Sequence, residues 1–258
     1  VNEHDAFLEP DVDEEEIPVI EASMLQPTVD FEAGMGWFPP VTSVLIAACI
    51  VVFGFEIATG ALQNLNRLIE MGALEAAQVA KGEVWRLLSC EFLHGGADHL
   101  IGNMLMLYIL GLACEHGFGR SQFLFLYVAA AVGASAVSLI DAKTSVGASG
   151  AIFGLAGALI ALFRRQKHVL RVRDHRIGFV VGIWAIYTIA MGFINPHIDN
   201  MAHMGGFIIG MLLGSCLPSV LIHDRDEFGR RFSTVMLLAT ACVMIAATSL
   251  FFVPRLSG

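Results

Sequence analysis

Seven apolar runs, at about residues 41–59, 99–114, 122–140, 146–163, 177–195, 201–222 and 233–253, leave few folds open to this chain. A helix needs ~20 such residues to cross ~30 Å of hydrocarbon, and its backbone groups must be satisfied within the span. Composition agrees. Of the 258 residues, 56% are apolar and 15% are charged, against roughly 25% charged in soluble domains. Mean hydropathy is +0.69. The expected fold class is an all-α polytopic membrane protein. The second run is short and interrupted by polar groups, which draws attention to its contents.

Residues 1–37 hold eleven of the 24 carboxylates and no Lys or Arg, so the formal charge of −9 divides into −11 on this tail and +2 on the remainder. With no basic start and no apolar core, a cleavable signal peptide is not expected there. The cluster "DVDEEE" reads as part of a solvated, disordered tail, and nothing in the charge pattern suggests nucleic-acid binding. The five cysteines are scattered, with no C-x-x-C pair, and four lie inside apolar runs as small fillers. Orientation follows from basic residues in short loops. The loop at 164–176, the loop at 223–232 and the turn near Arg120 hold ten Lys/Arg, whereas Arg67, Lys81, Arg86, Lys143 and Arg255 make five on the other side. The expected topology places the N-terminus and the richer loops in the cytoplasm and the C-terminus outside, in the cell (plasma) membrane.

On that topology the first turns of the second, fourth and sixth spans lie at one depth near the outer leaflet. They read "DHLIGNMLM", "VGASGAIFG" and "NMAHMGGFIIG". Polar groups within a span are costly, so each is a functional candidate. His99 and Asn103, four apart, share a helix face and can both donate toward one point. The same H-x-x-x-N spacing also serves a pair that satisfies loop carbonyls. Ser149 opens the fourth span behind a glycine-bearing loop, at a helix N-terminus whose free N–H groups favour negative charge. Alone, it reads equally as a cap or a small packing residue. Gly150, Gly154 and Gly157 continue below it, and Gly206, Gly210 and Gly214 follow His203 on the sixth span. Two such stripes let helices approach closely, and their contact would set His203 against Ser149. A serine within reach of an imidazole is a base-activated nucleophile. Asp199, the nearest acid in sequence, is given no role, so a dyad is the economical reading.

The sequence resembles the rhomboid family of intramembrane serine proteases over roughly residues 38–222. The resemblance rests on "WR" at Trp85 and Arg86, "HLIGN" at His99 to Asn103, "GLACEHGFG" from Gly111 to Gly119, "GASG" at Gly147 to Gly150 and "AHMGGFIIG" from Ala202 to Gly210, in that order. It implies Ser149 as nucleophile and His203 as general base, with His99, Asn103 and the Ser149 amide around the oxyanion. It also implies a six-helix core over 38–222, preceded by the cytoplasmic tail 1–37 and followed over 223–258 by a cytoplasmic loop and an extra seventh transmembrane helix. Phe153 falls where the family often has an aromatic ring on the catalytic histidine, and plain core packing is the alternative. Trp85 and Arg86 lie in a long first loop that the family forms into a partly embedded hairpin, a role compatible with anchoring at the interface. Glu115 and His94 read as structural.

The expected function is an intramembrane serine endopeptidase that cuts transmembrane proteins near the outer-leaflet end of their span. Its partners are single-span or polytopic membrane protein substrates and the lipid bilayer, and no metal or organic cofactor is needed. A catalytically inactive rhomboid-like client-binding protein is the alternative, although such members characteristically lose the serine or the histidine. A metal-dependent protease or transporter would need H-E-x-x-H or an acid–histidine cluster, and a channel or secondary transporter would be expected to show inverted repeats.

Overall fold

The computed structural model describes residues 28–141, 143–222 and 227–256. Seven long helices correspond to the seven apolar runs: α1 Pro40–Thr59, α2 Ala97–Phe118, α3 Arg120–Ser138, α4 Ser149–Arg165, α5 His175–Ile194, α6 Asn200–Cys216 and α7 Glu227–Leu256. Local chemistry sets their ends. Proline begins α1, and Gly60 ends it in the left-handed region at φ 69°. Gly119, at φ 78°, separates α2 from α3. The sixth run extends to residue 222, but α6 stops at Cys216 because Leu217 precedes a proline and takes an extended conformation. By length and apolarity, α1, α2, α3 and the Ser233–Leu250 part of α7 suffice to cross a membrane. This is an all-α polytopic membrane protein.

The two shorter helices form the centre. α4 and α6 have 17 residues each, or about 25 Å at 1.5 Å per residue, and theirs is the most extensive helix contact in the molecule. The glycine stripes face each other as their spacing predicts. A methyl group on Gly206 would collide with the Gly150 carbonyl, one on Gly210 with the Gly154 carbonyl, and one on Gly214 with Ala158. α3 closes against the same pair, with Ala134 over Gly150 and Ala130 over Gly154. By contrast, α5 has no buried residue among those described and exposes Phe179, Ile183, Ile186 and Tyr187.

The long connection from α1 to α2 contains short helical turns at Leu65–Met71, Ala76–Ala80 and Arg86–Ser89. Arg86 organises it from within. Its Nη1 donates to the Ile69 and Ala73 carbonyls at 2.5 and 2.8 Å, its Nε donates to Glu83 at 2.7 Å, and its guanidinium lies 4.6 Å from the Trp85 ring centre. Trp85 and Arg86 are both buried, so they hold the loop together rather than anchor it at an interface. Leu74 and Ser145 exchange two 3.0 Å backbone bonds, and the Gly147 N–H donates to the Cys90 carbonyl at 2.9 Å. The loop thereby fixes the strand of chain that leads into Ser149.

The tail expected over 1–37 is in part built into the fold, while residues 1–27 lie outside the described ones. β1 Val29–Asp30 pairs in parallel with β2 Leu170–Arg171, and Phe31 is buried between His116 and Phe163. Burial of one aromatic ring outweighs the acidic composition here, a contribution of about 2 kcal/mol.

Candidate active site

Ser149 is the first residue of α4. The N-cap position is Ala148, which offers no side-chain acceptor, so the turn that carries the hydroxyl is left without a capping group. His203 lies in the first turn of α6, whose N-cap Asp199 accepts from the Ala202 N–H at 2.9 Å. The paired stripes set these two turns side by side. The Ser149 Oγ to His203 Nε2 distance is 2.9 Å across 54 residues of sequence. His203 is buried, and its Nδ1 meets no partner among the described residues. For Nε2 to accept the hydroxyl proton, the ring proton must sit on Nδ1.

The His203 ring is held from its face. Phe153, one turn below Ser149 on α4, stacks on it with centroids 4.4 Å apart and planes 19° apart. Trp184 of α5 also packs on Phe153, at 4.9 Å and 33°. The family-like packing of Phe153 is therefore the one adopted. Trp184 was not legible in the sequence, since an aromatic in an apolar run carries no mark of its neighbours.

His99 and Asn103 project from α2 onto the chain just before Ser149. A methyl on Gly147 would lie 2.6 Å from His99 Cε1, 2.8 Å from its Nε2 and 3.3 Å from Asn103 Nδ2. Gly147 itself stands at φ 121°, so both space and conformation require glycine there. The Asn103 Nδ2 is buried and has no acceptor among the described residues. A buried donor left without a partner is uncommon and calls for a structural or functional reason. Behind His99 lies His94, fully buried, with the two rings edge to face at 5.3 Å. The His94 N–H donates to both carboxylate oxygens of Glu56, at 3.0 and 3.2 Å. Burial, with His99 adding to it, pushes the His94 imidazole down to about 3, so the ring is neutral.

Glu115 lies elsewhere. Its carboxylate accepts from the Val41 and Thr42 amides at 3.2 and 3.1 Å and from the Thr42 hydroxyl at 3.1 Å, capping the start of α1 from α2. The structure thus gathers Ser149, His203, Phe153, His99 and Asn103 at one end of the bundle and leaves Glu115 at the other. Chemically, the gathered set offers a hydroxyl with an adjacent base and several donors on one side.

The rhomboid domain family model matches residues 81–219, which contain all five of those residues. The chain belongs to the rhomboid family. It is 38% identical over 206 residues to Rhomboid protease GluP of Bacillus subtilis (strain 168), covering 79% of this chain and 39% of that one. It is 40% identical over 158 residues to RHOMBOID-like protein 5 of Arabidopsis thaliana, covering 60% and 50%. It is 32% identical over 183 residues to Rhomboid-like protease 1 of Toxoplasma gondii, covering 67% and 62%. This rhomboid therefore spans about two fifths to a half of the length of the first two relatives.

Proposed function

We propose that this rhomboid is an intramembrane serine endopeptidase that uses Ser149 and His203 as a dyad. The observation that carries the reading is the 2.9 Å contact between Ser149 Oγ and His203 Nε2, with the unspent Asn103 donor close by. In this mechanism Oγ attacks the scissile carbonyl carbon while Nε2 takes its proton. The negative charge that develops on the carbonyl oxygen falls to the Ser149 N–H, Asn103 and His99. His203 then gives the proton to the leaving amine, and an ester to Ser149 remains. A water attacks that ester, with His203 again as base, and releases the acid. The Phe153 ring limits the tilt of the imidazole, which keeps Nε2 on the hydroxyl through both steps.

The substrates proposed are single-span or polytopic membrane proteins cut near the outer-leaflet end of their span, because His99, Ser149 and His203 stand in the first turns of α2, α4 and α6. The loop charges support a cytoplasmic N-terminus, an extracytoplasmic C-terminus and residence in the plasma membrane. The test is incubation of the purified protein and its Ser149→Ala variant with a model single-span substrate, followed by mapping of the cut. A cut by the wild type alone, near one end of the span, is the expected result. Equal processing by both proteins removes the dyad from the reaction.

A further inference from the structure

The close approach of α4 and α6 leaves one degree of freedom open. Glycine faces fix the distance between two helix axes but offer few side-chain knobs to set their relative height, the Phe153 ring on His203 being one. Further groups are needed to hold the axial register. The separation of Ser149 and His203 depends on it directly, since each residue along a helix is a 1.5 Å step.

Two carboxylates outside the dyad sit where such stops are needed. Glu91, in the loop turn Cys90–Phe92, is 3% exposed. The Ala151 N–H, two residues after Ser149, and the Ser135 hydroxyl of α3 both face its carboxylate, whose Oε2 forms no hydrogen bond among the described residues. Its Oε1 is 3.6 Å from the place a Gly150 methyl would occupy, so it lies directly against the first turn of α4. Asp199 does the same for α6. Its Oδ1 accepts from the Ala202 N–H, the residue before His203, and its Oδ2 accepts from the Ser138 hydroxyl. Ser135 and Ser138 are three apart on α3, hence on one face, and are 2% and 0% exposed. The Cys90 thiol, 3.3 Å from the Ser135 hydroxyl, completes the contact on the loop side.

We propose that Glu91 and Asp199 are positioning residues: the one packed beside Ser135 and the other bonded to Ser138 of α3, they hold the first turns of α4 and α6 at one height and so set the Ser149–His203 contact. α3 acts as a ruler with two marks. Neither carboxylate touches the reacting atoms. The inference rests on the peptidase reading above.

The measurement is the rate at which a fluorophosphonate labels Ser149, with kcat and KM for a single-span substrate alongside. A shift of ~1 Å in an attacking group costs up to ~10²-fold. Glu91→Ala and Asp199→Ala should each slow labelling by at least about tenfold and lower kcat by a like factor, with KM nearly unchanged. Glu91→Gln and Asp199→Asn, which keep an acceptor oxygen in place, should restore most of the loss. Ser135→Ala and Ser138→Ala remove the ruler's marks without disturbing a carboxylate, and carry the test if an alanine variant at Glu91 does not fold. Labelling and kcat near the wild-type values in folded alanine variants would overturn the proposal, as would amide variants no faster than the alanine ones. A wild type that is not labelled at all overturns the peptidase reading instead.

Discussion

Asn103 is a buried amide whose donor has no acceptor among the described residues, and that arrangement costs stability unless something offsets it. An oxyanion would. Replacement by alanine is therefore expected to lower kcat by about 10²–10³ while sparing the fold, and His99→Ala to act in the same range. Ser149→Ala should abolish turnover. Unchanged kcat in either donor variant takes that residue out of the role. His94 offers a different test, because it is neutral when folded. Its imidazole titrates near 6.5 in the unfolded chain, so the contribution of His94 to stability is complete above that pH and is lost as the pH falls toward 3. The thermal midpoint of the wild type should drop more steeply from pH 7 to pH 5 than that of His94→Asn. Equal slopes would show that the ring does not resist its charge. Asn103, His99 and Ser149 were visible in the sequence because they stood in the first turns of apolar runs. The contacts of Glu56, Glu91 and Asp199 were not, since a carboxylate reads the same in sequence whether it meets water or a buried partner.

At the level of the helices, the legible feature was the spacing of glycine by four, and the contact that it predicts is present between α4 and α6. What remained hidden was where a helix stops: the sixth run extends to 222, yet α6 ends at Cys216 before the extended Leu217. Ser149 heads α4, as its place behind a glycine-bearing loop suggests, because Gly147 takes a backbone conformation that no helix continues. The glycine pairs also make a firm prediction. At Gly210 the nearest atoms to an added methyl are the backbone of Gly154, which cannot rotate aside as a side chain would. Overpacking of this kind costs about 1–3 kcal/mol or more. Gly210→Ala should lower the thermal midpoint and slow Ser149 labelling together, because parting the helices also parts the dyad. Gly178→Ala on α5, where nothing lies within 4 Å, serves as the control and should change neither. A Gly210→Ala protein as stable as the wild type would mean that the stripe is not in tight contact.

Across the whole molecule, Ser149, His203, His99 and Asn103 gather at one end of the bundle and the N-terminal segment packs at the other. Composition alone placed that segment in solvent, and eleven carboxylates made the reading reasonable. Pairing and burial reverse it for residues 29–32. The Phe31 N–H donates to the Arg171 carbonyl at 2.9 Å, its carbonyl meets His116 Nε2 at 2.7 Å, and its ring packs on Phe163 at 4.9 Å. Beside it, Asp30 forms an ion pair with Arg173, and Glu32 accepts from the Arg173 and Asp174 amides at 3.0 and 3.2 Å. One short stretch thus joins the last turns of α2 and α4 to the start of α5, a helix that has little other support. Most of this bond set is backbone or buried ring, whereas the Asp30–Arg173 pair is exposed on the arginine side and contributes little. Phe31→Ala is therefore expected to cost about 3–5 kcal/mol, as other buried phenylalanines do, and Asp30→Asn much less. Because the segment and the dyad lie at opposite ends of α4, 17 residues or about 25 Å apart, the same Phe31→Ala variant should label Ser149 within about twofold of the wild-type rate at temperatures where it is folded. Thermal unfolding and labelling measured on the one protein separate the two effects. A large fall in labelling rate with an unchanged midpoint would mean that the segment acts on the site and not on the fold.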